Sequence, residues 1–123
     1  MVQHRTMLKV ADNSGAKALL VVQPLGGSGK RKATLGEVVV GVVKGANPNG
    51  QVKDAEVVRI VIVRTKKEVR RTDGSYIKFD ENAVVLVDKA KSEPLAGRIF
   101  GPIPREVVEA GFQTIGSNAS EIV

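Results

Sequence analysis

Five short runs of β-branched and aliphatic residues, each fenced by turn-forming residues, set the limits on what this chain can fold into. They are "MLKVAD" (7–12), "AKALLVVQ" (16–23), "EVVVGVVK" (37–44), "EVVRIVIVRT" (56–65) and "NAVVLVD" (82–88). Val and Ile are stiff at χ1 and fit a pleated, half-buried surface, so each run predicts a strand. The segments "DNSG", "PLGGSG", "GANPNG" and "DEN" supply the breaks between them. Five strands at this spacing predict an all-β fold, a small five-stranded barrel whose closure removes unpaired sheet edges. No internal repeat, low-complexity tract or linker interrupts the 123 residues, which predicts a single domain. The barrel is expected over about 1–100, with a basic hairpin at 64–79, and a short helical segment over about 103–123.

The C-terminal part has a different pattern. In "IPREVVEAGF", Pro104 suits the first helical turn, Glu106 complements the positive end of the helix dipole, and Gly111 suits the stop. A helix of one or two turns cannot persist alone, so Val107, Val108, Phe112 and Ile115 are expected to pack it on the barrel. "SNASEIV" is expected to add another short helical turn.

The densest charge lies in "RTKKEVRR" (64–71), which holds five cations and one carboxylate and runs directly into "TDGS". Asp73-Gly74 predicts a two-residue hairpin turn, since both residues tolerate positive φ. That register sets Arg71 opposite Tyr76, Arg70 opposite Ile77 and Glu68 opposite Phe79, and it places Val69 and Lys78 on the face of Arg71. Charged and apolar side chains then mix on both faces. Such a ribbon is expected to project from the barrel toward a partner, with Arg71 and Tyr76 close enough to pair.

The distribution of charge points the same way. Residues 26–78 hold twelve Lys or Arg against five Asp or Glu, a net of +7, and the remainder nets −1, giving the chain's +6. One basic surface is expected, and a polyanion is its natural partner. Aromatic residues are few: Tyr76, Phe79, Phe100 and Phe112 are the whole set. A platform that stacks several bases of a single strand is therefore disfavoured, and phosphate and shape recognition of folded RNA fits better. Charge alone leaves two other readings open: an adaptor for an acidic protein, and a barrel that binds single-stranded nucleic acid.

Other functions find no support in the residues. The loop "GGSGKRK" (26–32) is not a nucleotide-phosphate loop, because Pro24 stands where the first Gly is needed and Arg31 follows Lys30 in place of Ser or Thr. His4 is the only histidine and Cys is absent, so a metal site, a disulfide or a Ser-His-Asp arrangement lacks its parts. Asp80-Glu81 reads as a hairpin end and Asp12-Asn13-Ser14-Gly15 as a turn. No enzyme, cofactor or metal is expected. No apolar run approaches a membrane span, which predicts a soluble protein of the cytoplasm or of an organelle.

Four stretches carry a resemblance: "ADNSGA" (11–16), "LGGSGKR" (25–31), "VRTKKEVRRTDGSYIKFDENAVVLV" (63–87) and "RIFGPIPRE" (98–106). Together they resemble the universal large-subunit ribosomal protein fourteen family from end to end. The resemblance implies a five-stranded barrel with a protruding hairpin and short C-terminal helices. It also implies a structural role in the large ribosomal subunit, in a cytoplasmic or organellar ribosome. Implied partners are large-subunit rRNA, a neighbouring protein of the protein-nineteen type, small-subunit rRNA at an intersubunit bridge, and a ribosome silencing factor near "RIFGP". The rRNA-binding residues expected on this basis are Lys30, Arg31, Lys32, Lys44, Lys53, Arg64, Lys66, Lys67, Arg70, Arg71, Tyr76 and Lys78. Arg98, Phe100 and Arg105 are expected at protein or intersubunit contacts. The chain departs from the family pattern at Ile60, Glu68, Thr72 and Gly97, where Gly or Ala, Gly, Pro and Thr are usual.

Overall fold

Each of the five predicted runs contains a strand, and these five strands build the body of the protein. The computed structural model describes residues 2–3, 7–12, 16, 18–24, 32–33, 35–46, 55–87, 94 and 97–123. In chain order the elements are β1 (Val2–Gln3), β2 (Met7–Val10), β3 (Ala18–Pro24), β4 (Lys32–Ala33), β5 (Val38–Val43) and β6 (Val57–Arg64). There follow β7 (Val69–Arg70), β8 (Tyr76–Ile77), β9 (Ala83–Val87), β10 (Ile99–Ile103), α1 (Arg105–Glu109), α2 (Gln113–Asn118) and β11 (Ala119–Ile122). The fold is all-β with two short helices.

The strands pair in the order β2-β3-β5-β6-β9, and β9 returns to β2 to close the barrel. Neighbours are antiparallel except at the β2–β9 seam, where Lys9 lies beside Ala83 and Val10 beside Val84 in parallel. Just past the seam, Asp12 continues the ladder with its side chain. Its carboxylate oxygen accepts the Leu86 N–H at 3.0 Å, although the residue is only 5% exposed. A buried strand N–H without an acceptor is costly, and the carboxylate supplies one where the backbone of β2 has turned away. The expected turn at 12–15 thus begins with a buried structural residue; positions 13–15 lie outside the described residues.

Two apolar clusters explain why some runs alternate and others do not. Strand β5 shows the period of two, with Val39, Gly41 and Val43 buried between half-buried neighbours. Strand β9, and β6 from Ile60 onward, are buried on both faces. Val58, Ile60, Ile62, Val84 and Leu86 fill the barrel. Val61, Val63, Ala83, Val85 and Val87 point the other way, onto Ile99, Ile103, Val107 and Ile115. A strand covered on both sides reads as a continuous apolar run, which is how "VIV" and "AVVLV" appear in the sequence.

The C-terminal segment supplies the outer cover. Helix α1 begins after Pro104, whose extended φ and ψ of −79° and 155° place it at the cap, one residue before the first turn. It ends at Glu109, and Gly111, at φ +107°, follows its C-cap Ala110. Val107 and Ile115 are buried, and Phe112 packs against the same cluster. The expected second helical turn in "SNASEIV" needs correcting: α2 stops at Asn118, and Ala119–Ile122 runs as a strand parallel to β10. Strand β10 offers a row of unpaired backbone groups there, and the Val123 N–H completes the pairing on Ile103 O at 2.8 Å. No helix among the described residues is long and apolar enough to cross a membrane.

Candidate nucleic-acid interface

The basic hairpin is formed by β7 and β8, with a register one residue away from the predicted one. Val69 pairs with Ile77 and Arg70 with Tyr76. The cause lies in the turn. The Arg71 N–H donates to Ser75 O at 2.8 Å and the Gly74 N–H to Arg71 O at 3.0 Å, with Gly74 at φ +90°. This is a three-residue loop closed by a left-handed glycine, not a two-residue turn. Asp73 holds it in place: its carboxylate accepts the Ser75 hydroxyl at 2.6 Å and the Ser75 N–H at 2.9 Å. These two bonds, the hydroxyl's first, keep the Asp73 carboxyl below the usual carboxylate range.

A shift of one residue moves every side chain to the opposite face. The mixed faces of the predicted register become two distinct ones. Val69 and Ile77 form the inner pair and pack against the barrel's core cluster. Arg71, on the same side, is tied down as well: its Nε donates to Glu106 of α1 at 3.0 Å and its Nη2 to the main-chain oxygen of Val123 at 2.7 Å. The expected Arg71–Tyr76 pairing is therefore replaced by a brace between the hairpin, α1 and β11. The ribbon leans on the body through this face and does not stand free on both sides. Glu68, Arg70, Tyr76 and Lys78 are left on the outside, all exposed, with Tyr76 at 66%. Lys66 and Lys67, at the foot of the ribbon, are also exposed.

The brace has a measurable worth. Both partners are largely shielded, with 15% and 24% of their side-chain surface exposed, so the pair is screened less than a surface bridge. Arg71→Ala and Glu106→Ala are each expected to lower stability, and a double-mutant cycle by urea unfolding should give a coupling of about 1–2 kcal/mol. Zero coupling would show that the contact contributes nothing to the docking of the ribbon.

Arg64, at the end of β6, is also drawn inward. Strict alternation would send it into the barrel with Ile60 and Ile62, but the register shifts between Ile62 and Arg64 and turns it outward. It remains buried, at 9% exposure, beneath β10. Its Nη2 donates to Phe100 O at 3.1 Å, and its Nη1 lies 3.8 Å from a Glu81 carboxylate oxygen. Burial lowers the pKa of this guanidinium, and the neighbouring Glu81 partly offsets the effect. Asp80-Glu81 is thus more than a hairpin end, since Glu81 also bridges to Lys9 at 3.2 Å.

The remaining expected positions fall in three places. Lys44 is exposed just beyond β5. Arg98, Phe100 and Arg105 are exposed near the start of β10 and of α1, with the Arg98 guanidinium 5.5 Å from the centre of the Phe100 ring. Lys30, Arg31 and Lys53 lie outside the described residues, as does His4, and Lys32 is described only as part of β4. Asp12, Glu81 and Glu106, read from the sequence only as a turn, a hairpin end and a helix start, carry structural weight that reading did not include. Their partners are distant in the chain, and nothing local signals them.

Fold and surface together define a class: a small all-β protein that carries a cationic ribbon on a braced mount. The particular family follows from comparison. The family model described as Ribosomal protein L14p/L23e matches residues 1–123, and the chain belongs to that family. It is therefore a structural protein of the large ribosomal subunit, a non-enzymatic kind, located on a cytoplasmic or organellar ribosome and associated with rRNA and other ribosomal proteins.

Proposed function

We propose that the chain grips large-subunit rRNA through the outer face of the β7–β8 hairpin and its foot. Lys66, Lys67, Arg70 and Lys78 meet phosphates, and the barrel keeps them at fixed spacing. One observation carries this reading: the hairpin's register separates an anchoring face, with Val69, Ile77 and Arg71, from an outer face whose cations have no carboxylate within ion-pair distance among the described residues. Phosphate oxygens can then be bound without breaking any contact of the protein, and released counterions add to the affinity. On this reading Arg64 and Arg71 act as parts of the mount. Lys44 extends the cationic surface, and the segment holding Lys30, Arg31, Lys32 and Lys53 belongs to the same RNA-facing set.

Arg98, Phe100 and Arg105 form the protein-facing side. There the reading places a neighbour of the protein-nineteen type, the small-subunit rRNA of an intersubunit bridge, and the docking of a silencing factor at residues 98–102. The chain acts as one domain over 1–123. Competition tests the RNA reading. A folded large-subunit rRNA fragment should displace a bound homopolymer, and binding should weaken steeply with salt. Equal competition by homopolymer would favour a single-strand binder. Retention of acidic proteins after ribonuclease, without RNA affinity, would favour an adaptor.

A further inference from the structure

The outer face of the hairpin holds one group that phosphate binding does not use. Tyr76 is the only tyrosine in the chain, and two-thirds of its surface is open to solvent. It lines a shallow recess of about 340 Å³ with Glu68 and Lys78. Continuing the β7–β8 register sets Glu68 across from Lys78, yet the two form no ion pair within 4 Å. A carboxylate surrounded by Lys66, Lys67, Arg70 and Lys78 is out of place if the whole face binds phosphate, because it repels the ligand its neighbours attract.

The three groups suit a nucleobase better than a phosphate. A ring with an open face is a stacking surface. A carboxylate accepts only, so beside that ring it selects a base edge that presents donors. Guanine offers two adjacent donors on its Watson–Crick edge, N1–H and the N2 amino group, which match the two oxygens of one carboxylate. Uracil has one donor flanked by carbonyl oxygens, and adenine has an amino group beside an unprotonated nitrogen. Arg70, directly across the strand pair from Tyr76, and Lys78 flank the recess where the phosphates on either side of such a nucleotide would lie.

The geometry points to a seat for a single unpaired guanine, stacked on Tyr76 and read by Glu68, within the RNA surface proposed above. The inference rests on that reading and adds base selection to it. One ring serves one nucleotide, which agrees with the shortage of aromatic residues elsewhere in the chain.

The lone tyrosine, in a protein without tryptophan, makes its own emission the probe. The full chain is titrated with the pentanucleotides UUGUU, UUAUU, UUCUU and UUUUU while tyrosine fluorescence is followed. UUGUU should quench the emission and bind about tenfold or more tightly than the other three, the range expected for a two-bond base contact. Glu68→Gln should abolish this preference while the variant still binds RNA, since the amide puts a donor against guanine's donors. The ratio of affinities is the readout, because the substitution also removes one negative charge. With labelled RNA, Tyr76→Phe should keep the preference for guanine, and Tyr76→Ala should weaken UUGUU by about tenfold. Equal binding of the four pentamers, or an unchanged preference in Glu68→Gln, would overturn the guanine seat. Unquenched tyrosine alongside salt-dependent binding of folded rRNA would overturn it and leave the cationic grip standing. Failure to bind any RNA would remove both.

Discussion

Gly101→Ala is expected to cost about 2–3 kcal/mol and to lower the midpoint of thermal unfolding by on the order of 10 °C. Two penalties coincide at this position. The backbone sits at φ +80°, where a side chain costs about 1 kcal/mol or more. An added Cβ would also collide with Nη1 of Arg64, at 2.2 Å from the ideal position. The guanidinium is buried but is the far end of a long side chain, so it can give way, and doing so sacrifices its bond to Phe100 O. Gly74→Ala is the matched control: its φ is +90°, but nothing lies within 4 Å of the added carbon. It should cost only the backbone penalty, about 1 kcal/mol. Pairing Gly101→Ala with Arg64→Ala should reduce the glycine's cost to that same value. An unreduced cost in that background would show that Arg64 and Gly101 do not share a packing constraint.

The second large effect concerns affinity. Replacing Lys66, Lys67, Arg70 and Lys78 together with Ala should weaken binding to folded large-subunit rRNA by about a hundredfold at moderate salt. The slope of log affinity against log salt should flatten by about three to four, close to one per lost phosphate contact. All four side chains are exposed and none makes an ion pair among the described residues, so thermal unfolding should be nearly unchanged. Arg71→Ala should behave the opposite way, lowering stability while leaving the slope close to that of the unaltered protein. A full salt slope in the quadruple variant would show that the hairpin's outer face is not where phosphate is held.

The contrast between these residues marks how far the sequence could be read. The five barrel strands were legible because β-branched runs and breakers alternate, and local chemistry decides both. The hairpin was legible in outline, since Asp73-Gly74 does mark its turn. Its register was not, because Asp73 spends its carboxylate on Ser75 and stretches the loop to three residues. From that one residue followed the wrong cross-strand partners expected for Arg70, Arg71 and Tyr76. Arg64 and Arg71 looked like two more cations in a basic run. What distinguishes them are acceptors 36 and 35 positions away, at Phe100 and Glu106, and no window on the chain spans that distance. Strand β11 escaped notice for a similar reason: its backbone partner is β10, and the intervening helices hide the pairing.

The double covering of β6 and β9 has a consequence for how this protein can change over time. Ile60, Val61, Ile62 and Val63, and every residue from Ala83 to Val87, are buried against one cluster or the other, so along these stretches neither side offers a position free to drift. A methyl group gained or lost at any of these sites must be answered by a neighbour, either inside the cylinder or under the C-terminal cover. The charged ribbon hangs between these two constrained strands. Its outward residues carry no part of either cluster, while the frame that aims them is held nearly fixed.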